Sequence, residues 1–390
     1  MVSTALAPSR VQTPILALAA IVAAALLVAL IGFGGRQVAL LLIGIALGAS
    51  LYHAAFGFSS AYRNAVVAGD LSAVAAQIVM LAAAILLFAP VLAQGSAFGR
   101  PVVGAVAPVG VSMVCGAFVF GIGMQLAGGC ASGTLYTAGG GNARMLLVLV
   151  FFCVGGFWAS LHMHWWTALP GIGAVSLGET FGWAVAIPLQ LAALALIYGC
   201  LRLSGARVKQ PLWWAGGFSW QRLLSGPWPL LFSAGLLALL NWLTLLVAGH
   251  PWSITWAFAL WAAKIAVVLG WDPATSQFWS GGFQQAALAR SVLADTVSVM
   301  NFGILLGALA AAALAGRVAP SARIPLGSLA AAVIGGLTMG YGARLAYGCN
   351  IGAFFSGVAS GSLHGWVWIL CAVAGNLIGI RLRPLFRLPM

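Results

Sequence analysis

The chain has 390 residues, 63% of them hydrophobic and only 5% charged, and 17 Lys and Arg against 4 Asp and Glu leave a net charge of +13. So few charges cannot solvate a globular domain of this length, which excludes a water-soluble enzyme or binding module. Several apolar runs reach the roughly 18–20 residues that a helix needs to cross a bilayer, and the alternation of a transmembrane barrel is absent.

In chain order, the first run, 15–33, is too long for a signal-peptide core and reads as the first span. Spans at 38–55, 71–94, 102–127, 143–161 and 181–201 follow. The second part offers 229–248, 253–270, 291–316, 325–346 and 363–381. The fold class is therefore an all-α polytopic membrane protein with about 9–11 transmembrane helices, its solvent the lipid bilayer. Shorter punctuated pieces lie between spans, among them FGFSSAYRNAV at Phe56–Val66 and GWDPATSQFW at Gly270–Trp279.

Basic residues crowd two places: Arg202, Arg207, Lys209 and Arg222 in one connection, and Arg381, Arg383 and Arg387 at the carboxy-terminus. Short basic connections are the positive-inside signal that sets membrane orientation, so the charge is no sign of nucleic acid. The expected organisation is an amino-terminal membrane unit (1–201), a basic cytoplasmic linker (202–228) and a carboxy-terminal membrane unit (229–390). The six cysteines lie in or beside apolar segments and form no disulfide framework.

Two segments repeat. LAGGCASGTLYTAG at Leu126–Gly139 and LAYGCNIGAFFSG at Leu345–Gly357 are offset by 349 − 130 = 219 residues. From Gly116/Gly335 to Gly133/Gly352 they share G-x-G-x-x-L-A-x-G-C-x-x-G in register. The offset maps 102–127 onto 325–346 and 143–161 onto 363–381, giving two five-span repeats with 181–201 left over. An odd span count is what an inverted pair needs. A linker and a carboxy-terminus on one side require an even number of crossings, however, and the spans between them number five. One apparent span must be re-entrant or broken, and the glycine–cysteine segments are the first suspects.

Gly128, Gly129 and Gly348 let the chain leave helical geometry at membrane depth, where irregular backbone persists only when packed in protein or lining a cavity. A short helix starting after Cys130 or Cys349 aims free N–H groups at whatever sits beside the thiol, an anion site that needs no buried arginine. Gly133 and Gly352, which close the repeated motif, are counted with the candidate substrate path. Matching interrupted segments are the sequence pointer to a transporter's binding site. Glycine in membrane helices also serves close packing, and Cys115, Cys153, Cys200 and Cys371, in smooth apolar runs, read as small hydrophobes. Polar residues within apolar runs extend the candidate path: Arg63, Lys264, Arg344 five residues before Cys349, and Gln125 in the same place before Cys130. Snorkelling, or an ion pair of Lys264 or Arg63 with Asp70 or Asp295, is the alternative for those cations. His162 and His164 read as an interfacial pair rather than a metal site, and no cofactor motif is visible.

These segments, with GHPWSITWAFALWAAK at Gly249–Lys264 and DTVSVMNFGILLGA at Asp295–Ala308, resemble the YeeE/YedE family of membrane proteins linked to uptake of thiosulfate and other sulfur compounds. The resemblance covers most of 40–381. It implies an hourglass of helices with short helices tucked in from both faces, and a central relay of thiols to which Cys130 and Cys349 correspond. A third family cysteine lies in F-C-F-x-x-A-x-R; here the stretch is FGFSSAYR, so Gly57 stands in its place and Ser59 or Ser60 is the nearby donor. The expected function is an inner-membrane importer of a small sulfur-containing anion, thiosulfate foremost, with a small cytoplasmic sulfur-carrier protein as a conceivable partner. Rival readings are a membrane sulfurtransferase carrying persulfide, a carrier of a related sulfur or selenium species, and a structural membrane subunit.

Overall fold

The computed structural model describes residues 11–214, 217–318 and 324–390. The first ten residues of the amino-terminal unit and residues 215–216 of the linker lie outside the described residues. The first half contains α1 (Thr13–Ile31), α2 (Gly35–His53), α3 (Phe58–Ala68), α4 (Ser72–Gln94), α5 (Val111–Ala127), α6 (Ala131–Gly139), α7 (Ala143–Leu161), α8 (Met163–Thr167), α9 (Leu177–Phe181) and α10 (Trp183–Leu203). After α11 (Trp220–Ser225) in the linker come α12 (Leu230–Ala248), α13 (Thr255–Val268), α14 (Gly282–Ala289), α15 (Thr296–Leu314) and α16 (Leu326–Leu345). A π-helical turn, Asn350–Phe355, runs into α17 (Ser356–Ala359), and α18 (Leu363–Leu382) closes the bundle. Two small antiparallel ribbons, 96–97 with 100–101 and 108–110 with 171–174, sit at the end away from the linker.

Among the described residues, ten helices are long and apolar enough to cross a membrane: α1, α2, α4, α5, α7, α10, α12, α15, α16 and α18. Helix is the form that satisfies every backbone group within one segment in lipid. The chain is an all-α polytopic membrane protein.

The expected span at 253–270 is not one of the ten. Its helix, α13, has 14 residues, about 21 Å at 1.5 Å per residue, against a hydrocarbon core of about 30 Å. Pro251–Ile254 run outside helical hydrogen bonding, and side chains from neighbouring helices meet their backbone groups. The Trp252 N–H donates to Asn241 Oδ1 at 2.8 Å, and the Ile254 carbonyl accepts from Asn301 Nδ2 at 3.0 Å. Hydropathy counted straight across that break. The second half thus supplies four crossing-length helices rather than five. The odd piece in the count is α13, not a glycine–cysteine segment.

The long helices pack in an exchanged pattern. α2 lies against α15 and α12 against α4; α5 lies against α18 and α16 against α7; α5 also meets α16, and α2 meets α12. Swapping α2 with α12, α4 with α15, α5 with α16 and α7 with α18 returns the same set of contacts. Glycine makes four of them backbone-close: α2 with α15, α5 with α16, α5 with α18 and α16 with α7. A Cβ on Gly48 would fall 2.1 Å from the Ile304 carbonyl oxygen, and one on Gly307 would fall 2.0 Å from that of Ile45. Gly44–Gly48 and Gly303–Gly307 are each a G-x-x-x-G pair, the small-residue pattern that lets membrane helices approach.

Short helices fill the centre from both ends. His53, at the end of α2, packs its ring 5.0 Å from Trp228 in the linker, while Leu71, just past α3, donates to the Arg207 carbonyl at 2.9 Å. The segment between α2 and α4 therefore leaves and returns to the linker end. The π-helical turn and α17 belong to the opposite end, where Ser360 Oγ accepts from the Ala105 N–H at 2.9 Å.

Candidate functional site

Cys130 is the N-cap of α6, in extended geometry after Gly128 has turned out of α5 at φ +82°. Its sulfur lies 3.2 Å from Ser132 Oγ and faces the backbone amides of Ser132 and Gly133. The amide of Phe58, first residue of α3, faces it too. Two helix starts, with their free N–H groups and positive dipole ends, therefore converge on one thiol. A side chain at Gly133 would project towards this sulfur, its Cβ 3.7 Å away. Glycine there keeps the space beside the thiol clear.

Cys349 is built in the same way from the other end. Gly348 has φ +152°, and a Cβ on it would meet the Ala353 nitrogen at 2.8 Å, so the turn accepts only glycine. The Cys349 sulfur accepts from the Ile351 N–H at 3.4 Å at the head of the π-helical turn. Beside that turn, Ser253 precedes α13, and its Oγ would lie 3.3 Å from a Cβ on Gly352. Both thiols are buried, and they lie within electrostatic reach of each other.

The surroundings join the two ends. The Phe58 and Phe354 rings meet edge-on at 6.4 Å. Asn350 Nδ2 donates to the Tyr62 hydroxyl at 3.5 Å, and Asn350 Oδ1 is buried with no partner among the described residues. Thr134 Oγ1, on α6, is likewise buried and unpartnered. Tyr62 and Tyr136 are both within electrostatic reach of Cys130. Sequence reading passed over Tyr62, Tyr136, Ser253 and Asn350. Only Asn350, next to the repeated cysteine, carried a local signal, as a polar residue in an apolar run. Thiol, hydroxyl and backbone N–H donors in a dry centre can hold a small anion with a polarisable sulfur end, because donors facing low dielectric bind charge strongly.

The other expected site residues divide. Gly57 caps α3 in extended geometry, and a Cβ there would lie 2.8 Å from Ser60 Oγ and 3.4 Å from the Tyr136 hydroxyl, so it faces the site. Ser59 does not: its hydroxyl donates to the Met124 carbonyl at 3.1 Å. Ser60 is the hydroxyl beside Gly57. Gln125 is a tie between helices, its Nε2 donating to the Ser59 carbonyl at 2.9 Å and to Asn376 Oδ1 at 2.7 Å. Gly129 sits at the turn before Cys130, where a Cβ would touch the Gly133 and Thr134 backbone at an ordinary 3.4 Å. Lys264 is remote, donating to the Leu288 and Arg290 carbonyls at 2.7 and 2.6 Å. It is in no ion pair with Asp295, which caps α15 through Ser298 and accepts from Trp256 Nε1 at 3.0 Å. Asp70 takes Ser72 and Gln210 rather than Arg63. Arg63 lies half-buried near Arg383, and Arg144 and Arg383 cap the carbonyls of Gln125, Leu126 and Ala127 that end α5. Arg344 lines a cavity at the far side of Cys349.

Comparison with known proteins decides the family. The sulphur transport family matches residues 53–378. The chain belongs to that family. Within it, the chain is 27% identical over 351 residues to the "Thiosulfate transporter TsuA" of Spirochaeta thermophila, covering 86% of this chain and 96% of the relative. It is 33% identical over 177 residues to the "Probable transporter YedE" of Escherichia coli, and equally to that of Salmonella typhimurium. Those alignments cover 44% of this chain and 42% of each YedE, so the chain spans about two-fifths of the length of those relatives. The relatives are named as transporters, not enzymes.

Proposed function

We propose that this protein imports thiosulfate, or a closely related small sulfur-containing anion, across the bacterial inner membrane by passing it between Cys349 and Cys130. The observation that carries the reading is the pair of buried thiols, each at the head of a short helix, approached from opposite ends of the bundle. The name of the relative that covers 96% of its own length supports the substrate. The orientation follows from counting: α2, α4, α5, α7 and α10 lie between the start of α2 and the start of α12. Five crossings set the two starts on opposite faces, so the halves 1–201 and 229–390 run inverted, with linker 202–228 cytoplasmic. Between linker and carboxy-terminus, α12, α15, α16 and α18 make an even four. The anion leaves at the linker end beside Arg63, Arg144 and Arg383, where a small sulfur-carrier protein would take it up. A persulfide-carrying sulfurtransferase is less well supported, because thiols with 1% and 0% exposure are closed to a protein donor.

The test is uptake of radiolabelled thiosulfate in cells lacking other importers. Cys130→Ala and Cys349→Ala each remove a donor but little volume. Each should cut uptake by about tenfold or more at normal expression. Alanine at Cys115, Cys153, Cys200 or Cys371 should leave it near the parent rate. Unimpaired uptake in both single variants of the site would overturn the relay.

A further inference from the structure

The cations that reach into the bundle are nearly all occupied. Arg36 donates to the Ala248 carbonyl, Arg144 and Arg383 to the end of α5, and Lys264 to the Leu288 and Arg290 carbonyls at the end of α14. Arg344, in the last turn of α16, is different. Its Nε is buried without a hydrogen-bond partner, and no ion pair or hydrogen bond holds its guanidinium among the described residues. Its one fixed neighbour is an aromatic face: the guanidinium carbon lies 5.1 Å from the Phe278 ring centroid.

That guanidinium lines a cavity of about 540 Å³, with Gln277, Phe278, Gln284, Thr167 and Tyr347. None of the described lining residues is acidic. A cation held in a partly dry cavity without a counter-charge is costly, and the cost falls when an anion enters. The planar fork of arginine suits the oxygen face of an oxyanion, while stacking on Phe278 holds its orientation. The cavity sits at the end of α16 that leads into Cys349, and Tyr347, in its wall, is two residues from the thiol. The other half has no equivalent: at the repeat position of Arg344 stands Gln125, neutral and tied to Ser59 and Asn376.

We propose that Arg344 and Phe278 form an entry site for small oxyanions. It selects on negative charge before the thiols select on sulfur, and it is present only at the Cys349 end. As a step in uptake it rests on the transport reading above; as a binding site it can be tested without transport.

The binding test uses the full chain in lipid nanodiscs with a reporter Gln277→Cys, an exposed position on the cavity rim. Modification of that thiol is followed by peptide mass with negatively and positively charged methanethiosulfonate reagents. The anionic reagent should be favoured by about tenfold after correction for intrinsic reactivity, the low end of what focused charge does to encounter rates. The preference should vanish with Arg344→Gln and survive in Arg344→Lys. Millimolar sulfate should slow the anionic reagent and leave the cationic one unchanged. An unchanged reagent ratio in Arg344→Gln overturns the proposal. Absence of sulfate protection in the reporter protein with Arg344 intact also overturns it, and that arm needs no Arg344 variant to fold. In cells, Arg344→Gln should raise the half-saturating thiosulfate concentration about tenfold with little change in maximal rate, whereas Cys349→Ala should lose maximal rate. A parent protein that takes up no thiosulfate would defeat the transport reading, while the reagent arms still judge the site.

Discussion

Gly57 stands where the family resemblance implies a third cysteine, and its surroundings say what a thiol would do there. The backbone is extended, φ −112° and ψ 130°, which any residue adopts. The close neighbour of an added Cβ is Ser60 Oγ at 2.8 Å, a side-chain tip that can rotate away by giving up its 3.2 Å hydrogen bond to the Gly57 carbonyl, and the Tyr136 hydroxyl follows at 3.4 Å. Gly57→Cys should therefore fold and add a donor beside Cys130. One neutral donor is worth about 0.5–1.5 kcal/mol, roughly a 2- to 10-fold gain in apparent affinity for thiosulfate. Sulfate, lacking a terminal sulfur, should gain little. Competition between the two anions checks this; equal shifts would mean altered packing, and no shift would put Gly57 off the path. Cys130 and Cys349 were legible in the sequence because duplication repeats them inside a glycine frame. Tyr62 and Tyr136 were not, since an aromatic residue in a greasy chain is ordinary and only the fold turns both towards Cys130. Ser59 and Ser60 are adjacent on one helix, so only geometry could show that Ser59 faces α5 and Ser60 faces Gly57.

At the scale of elements, the contact of α2 with α15 is the clearest case of sequence dictating packing. Gly44, Gly48, Gly303 and Gly307 bring two backbones together where a single Cβ would already collide with a carbonyl. Neither backbone can relax without parting the helices. Gly48→Val should destabilise the fold by more than the about 1–3 kcal/mol typical of overpacking. Its measure is the loss of monodisperse protein in detergent at moderate temperature. Gly235→Val on α12, a glycine with open space around it, is the control and should behave as the parent. The long helices were readable from hydropathy because lipid demands about twenty apolar residues per crossing. Helix α13 was not, because its apolar run continues through Trp252–Ile254, where Asn241 and Asn301 rather than a helix satisfy the backbone. Those two asparagines lie on α12 and α15, and nothing local to 251–254 announces them.

For the molecule as a whole, the packing partners matter more than the packing itself. Every glycine-lined contact named above joins the first half to the second: α2 to α15, α5 to α16 and α18, α7 to α16. Halves interlocked at backbone distance cannot rock past each other without parting carbonyls from Cα atoms along several helices at once. Movement is left to the short central helices and to side chains such as Phe58, Phe354 and Asn350, which can rearrange without parting the long helices. The thermal signature of turnover follows. Thiosulfate flux into proteoliposomes should give a straight, shallow Arrhenius plot, its slope nearer that of diffusion through water than that of a domain reorientation. A steep or kinked plot would require the seams to open in every cycle. With the seams closed, the proposed passage asks only side chains and short helices to move, and anion contacts exchanged one for another keep the slope shallow.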